Sequence, residues 1–91
     1  MKPVPTPHTQ RVVDFMAERL QIFGWQVGAG DINKVVLYMP PGYDMRSEQD
    51  FTDFIGIFKK AHNLKLTETI EFHFYKGDEW RGGIVMVPKF E

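Results

Sequence analysis

The chain has 91 residues, 11 Lys and Arg against 12 Asp and Glu, a formal net charge of −1 and no Cys. A chain this short forms one domain, since two would each be too small for a self-sufficient core, and without thiols a disulfide framework, a Cys nucleophile and Cys-ligated zinc are all excluded. No apolar run approaches the roughly 18 residues of a membrane span, and a near-zero charge argues against wholesale wrapping of nucleic acid, so the chain reads as a small cytoplasmic protein.

Met1-Lys2-Pro3-Val4-Pro5-Thr6-Pro7 places proline at every second position. Proline fixes φ and removes the N–H donor, so residues 1–6 read as an extended tail ahead of a single domain over 7–91. Thr6 followed by Pro7 is a helix start, a hydroxyl at the N-cap and then proline in the first turn. Val12, Phe15, Met16, Leu20 and Phe23 recur at three- and four-residue steps and Gly24 follows as a left-handed stop, which predicts a helix over 7–23 with Trp25 folding back on its last turn.

Residues 25–28 and 34–39 are predicted strands around a turn containing Gly30, Asp31 and Asn33, and Pro40-Pro41-Gly42 ends the second of them. Ser47 with Asp50 three residues later forms a capping-box pair, and Phe51, Phe54, Ile55, Phe58 and Ala61 share a stripe, so a helix is predicted over 48–62. Residues 66–75 are a predicted strand that alternates from Thr69 onward, Ile70, Phe72 and Phe74 on one side and Thr69, Glu71, His73 and Tyr75 on the other. Gly77-Asp78 suits a type II′ hairpin loop, and residues 80–87 return as the last strand. The predicted fold is a two-layer α+β sandwich in the order α-β-β-α-β-β, with two helices on one face of a four-stranded, mainly antiparallel sheet.

A loop at Gly77-Asp78 sets Tyr75 opposite Trp80, Phe74 opposite Arg81, Phe72 opposite Gly83 and Ile70 opposite Val85. In that register Val85 and Val87 join the core, while His73, Tyr75, Trp80, Ile84 and Met86 face away; a slip by one residue exchanges the two halves of Ile84-Val85-Met86-Val87. Val35–Met39 is likewise apolar on both faces, Tyr38 included. Two helices cover one side of such a sheet, leaving the other as a partly apolar, aromatic contact surface.

The function expected from this shortage of cover is stoichiometric protein binding: a small regulator, adaptor or inhibitor of a larger protein, of the kind that phages and mobile elements encode, or a homodimer. Its contact residues would be Tyr38, His73, Tyr75, Trp80, Ile84 and Met86, joined by Tyr43 and Arg46 from the loop after the second strand. The alternative is a single-stranded nucleic-acid-binding protein, stacking bases on the sheet-face aromatics and meeting phosphate with Lys59, Lys60, Lys65 and Arg81.

Glu71 and His73 leave one face of a strand and could share a proton or a metal, but no metal motif accompanies them, and a solvated polar face explains them as well. Asp44, Glu48, Asp50 and Asp53 gather where acids favour a helix N-terminus. Gly28-Ala29-Gly30 leads into a strand rather than a helix, which argues against phosphate binding. No enzyme activity, cofactor, metal or small-molecule substrate is expected.

Overall fold

The local signals become backbone in the computed structural model, which describes residues 4–88; residues 1–3 of the expected tail and 89–91 of the domain lie outside them. Thr6 caps α1 (Pro7–Leu20), its hydroxyl oxygen accepting the Thr9 N–H at 3.1 Å. The same hydroxyl donates to Glu68 at 2.8 Å, and the Thr6 N–H bonds the Ile32 carbonyl at 3.0 Å, so the chain enters α1 pinned beside the first β-turn. The predicted last turn of this helix, Gln21–Phe23, is a 3₁₀ turn instead. Gly24 at φ +90° reverses the chain there, and the Trp25 N–H returns to the Leu20 carbonyl at 3.2 Å.

Strands β1 (Gln26–Ala29) and β2 (Lys34–Tyr38) form an antiparallel hairpin. Helix α2 (Glu48–Ala61) starts with the full capping box between Ser47 and Asp50, a device that contributes about 1 kcal/mol. It carries the chain over to β3 (Ile70–Lys76), which therefore lies parallel to β2. Strand β4 (Glu79–Met86) returns antiparallel through Gly77-Asp78. Gly77 has φ +60° and Asp78 stays at negative φ, as a type II′ turn requires.

The sheet order is β1-β2-β3-β4, antiparallel at both outer pairs and parallel in the middle. Both helices cover one side. Val12, Met16 and Leu20 of α1 and Phe51, Ile55 and Phe58 of α2 close a core on Val35, Leu37, Ile70, Phe72 and Phe74.

The strand predicted over 66–75 begins only at Ile70, and residues 66–69 do not pair. Leu64 and Leu66 turn into the core and the Thr67 N–H donates to His8 Nε2 at 3.1 Å, so a buried imidazole of α1 occupies this backbone.

The hairpin register differs from the sequence expectation beyond its first two pairs. Lys76–Glu79 and Tyr75–Trp80 stand opposite each other, but then Phe74 faces Gly82, Phe72 faces Ile84 and Ile70 faces Met86, leaving Arg81 as the extra residue of a β-bulge. Phe51 of α2 is the physical reason: its ring stacks on Phe74 at 4.6 Å, and a Cβ at position 82 would lie 2.3 Å from it. The bulge puts a glycine, at φ +147°, under that ring and sends Arg81 to Asp44 at 2.9 Å. Ile84 and Met86, expected on the open side, therefore pack against the core, and Val85 and Val87 are the residues exposed, at 60% and 61%.

Candidate functional site

Strand alternation assigns the helix-free face of the sheet row by row. Gln26, Tyr38, Tyr75 and Trp80 form one row, Gly28, Val36, His73 and Gly83 the next, and Lys34, Glu71 and Val85 the third. The Tyr38 and Tyr75 rings lie 5.4 Å apart, tilted by 32°. Trp80 is 56% exposed. Among the described residues no helix or loop packs over this face, so an aromatic band and Val85 remain open to solvent.

The polar groups in the middle of the face largely satisfy one another. Trp80 Nε1–H donates to His73 Nδ1 at 3.2 Å. An indole nitrogen can only donate, so Nδ1 is the acceptor and the neutral imidazole carries its proton on Nε2. Gly83 leaves space for this bond: a Cβ there would lie 3.4 Å from Nδ1 and 2.9 Å from the Phe72 carbonyl. Glu71 Oε1 stands 3.4 Å from His73 Nε2 but off the hydrogen-bonding direction, so that nitrogen is buried without a hydrogen-bond partner. Lys34 is turned to Asp31 at 3.3 Å.

The structure brings together Tyr38, His73, Tyr75 and Trp80 of the expected contact set and separates the others. Tyr43 sits on the helix side, edge-on to Trp25 at 5.3 Å, and Arg46 pairs with Asp44 at 3.0 Å. The Lys59, Lys60 and Lys65 cations line a groove of about 960 Å³ at the end of α2, with Leu64, Leu66 and Met86 rather than the sheet-face aromatics. Arg81 is held by Asp44 and, at 3.6 Å, by Glu79. Among the acids at the start of α2, Asp50 has its carboxyl held below 3.8, first by the Arg46 backbone N–H and then by Ser47. No group of three metal-ligating side chains occurs among the described residues, and none of their helices is long and apolar enough to cross a membrane.

A second surface was not anticipated from the sequence: a groove in the helix layer, lined among others by Ile22, Phe23, Trp25, Phe54 and Ile57. Its signals were Ile57, which falls outside the core stripe of α2, and the adjacent Ile22-Phe23 at the helix stop. Comparison of the chain with protein-family models, curated proteins and solved structures finds no match.

Proposed function

We propose that this chain is a protein-binding module that acts by occupying a surface, through the helix-free face of its sheet. The observation that supports this most is the band of exposed Tyr38 and Trp80 with half-buried Tyr75, continued by Val85 on a face where Trp80 and His73 already bond each other. Such a face loses little on being dehydrated and gains from burying aromatic area. About 800 Å² taken out of water on each partner suffices for a specific complex. Regulation, adaptation or inhibition of a larger protein would follow from that occupancy, and a second copy of the chain is the simplest partner.

Protein is favoured over single-stranded nucleic acid because the lysines that would meet phosphate line a different groove and Arg81 is engaged by two carboxylates. The test is solution mass over a concentration series, followed by capture from lysate at two salt concentrations, for the wild type and a Trp80→Ser/Val85→Ser variant. A dimer, or a protein prey, that disappears in the variant supports the reading. Nuclease-sensitive prey with steep salt dependence would transfer it to nucleic acid. A strict monomer that captures nothing at either salt overturns it.

A further inference from the structure

The helix layer is split. Helix α1 rests on β1 and β2, α2 on β4, and the helices meet where the Phe15 ring touches Phe58 at 5.9 Å and His62 at 6.0 Å. Beside that contact a groove of about 1260 Å³ opens between the end of α1 with its 3₁₀ turn, the loop after β2, and α2. Trp25 forms its floor, stacked on Phe54 at 4.9 Å.

On one wall α2 presents Asp50, Asp53, Phe54, Ile57, Phe58 and Ala61, three- and four-residue steps that define one continuous helix face. This face is rotated away from the Phe51–Ile55–Phe58 stripe that meets the sheet. Ile22 and Phe23 stand on the other wall. Ile22, Phe23 and Ile57 are 76%, 67% and 69% exposed, and three large apolar side chains on facing walls of one trough form a patch rather than scattered exposure.

The rim has a sign. Asp44 is neutralised by Arg81 and Arg46 and Glu18 is paired with Arg19 at 3.8 Å, which leaves Asp50 and Asp53 as the lining carboxylates without a cationic partner among the described residues. The Arg19 guanidinium also lies 3.6 Å above the Phe15 ring and donates to the Phe15 carbonyl, so this cation is engaged on its own helix.

We infer that this groove docks an amphipathic helix of a partner protein, one whose apolar stripe is flanked by Lys or Arg. A trough walled by two helical segments admits a third rod of about 10 Å diameter, anchored by residues at three- and four-residue spacing. The acidic rim selects cationic flanks and disfavours acidic ones. This site lies on the opposite side of the molecule from the sheet face and does not depend on what that face binds.

The experiment uses the full chain carrying Trp80→Phe, which leaves Trp25 as its single tryptophan, and a fluorescein-labelled amphipathic helix of Leu and Lys. Fluorescence anisotropy should report saturable binding, accompanied by a change in Trp25 emission. Ile57→Ser and Phe23→Ser, both at exposed positions that leave the core intact, should each weaken binding about tenfold, and a Leu/Glu helix with the same apolar stripe should bind about tenfold more weakly. Val85→Ser, on the sheet face, should leave affinity unchanged. The inference is overturned by equal affinity for the Leu/Glu helix, by affinities that ignore Ile57→Ser and Phe23→Ser, or by no binding at millimolar peptide. It is equally overturned if Ile57→Ser dissociates a dimer of the chain, or if Nile red fills the groove without competing with the peptide.

Discussion

The two apolar surfaces of this protein arise by different physics. On the sheet face, the outward side chains of the four strands meet no helix, so Tyr38, Trp80 and Val85 are exposed among Gln26, Lys34, Glu71 and His73. That surface is a sheet face whose His73 and Trp80 bond each other and whose charges, Lys34 and Glu71, sit together in one row. In the helix layer the exposure comes from a gap between two rods that rest on different strands. That surface is concave and rimmed by carboxylates. An open sheet face with an aromatic band suits a broad protein surface, whereas a charged trough discriminates by shape and sign.

The most damaging single change should abolish this difference by removing the platform under both surfaces. Gly82→Ala would drive a Cβ into the Phe51 ring, which is buried and stacked on Phe74 and so has little room to yield, at a φ that disfavours side chains. The expected loss is about 2–4 kcal/mol from overpacking and backbone strain together. Urea denaturation measures it; a midpoint equal to wild type would mean that α2 does not press on β4 as described.

Separating the surfaces requires changes that spare the core. Trp80→Ser/Val85→Ser removes the cross-strand pair with Tyr75 and the bond to His73, a cost of about 1 kcal/mol, yet should eliminate assembly through the sheet face. Ile57→Ser should alter stability by no more than about 0.5 kcal/mol, leave that assembly intact and weaken only the groove. Assembly lost in both variants would show that the two surfaces act as one. Solution mass and a urea curve on each variant decide the matter.

How far the sequence led is itself a contrast between local and non-local causes. The starts of both helices and the type II′ turn were legible because Thr6-Pro7, Ser47 with Asp50, and Gly77-Asp78 act on backbone within a few residues of themselves. The register of β4 was not, because the bulge at Arg81 answers to Phe51, a ring on another element. The same holds for residues 66–69, predicted as the start of the third strand, where His8 accepts the Thr67 N–H instead. The aromatic band of Tyr38, Tyr75 and Trp80 followed from alternation alone; which half of Ile84–Val87 joined it did not. The groove depends on which strands each helix rests on, and its traces in the sequence were Ile57, off the core stripe of α2, and Ile22-Phe23 at the helix stop.

The smallest expected effect concerns Asp50, which serves the cap of α2 and the rim of the groove at once. The Arg46 backbone N–H first, then the Ser47 side chain and backbone N–H, hold its carboxyl below the ordinary 3.8, so the stability it contributes is complete above that value and disappears as pH falls through the lowered one. Asp50→Asn retains an acceptor for those N–H groups but removes the charge. The acid limb of stability against pH should therefore flatten, while the profile above it keeps its shape. At neutral pH the same variant should bind the Leu/Lys helix about twofold more weakly, as one exposed charge allows, and assemble through the sheet face as before. A loss as large as that of Ile57→Ser would make charge, rather than the apolar stripe, the principal attraction of the groove, and raising salt would then abolish binding that burial of Ile57 alone should preserve.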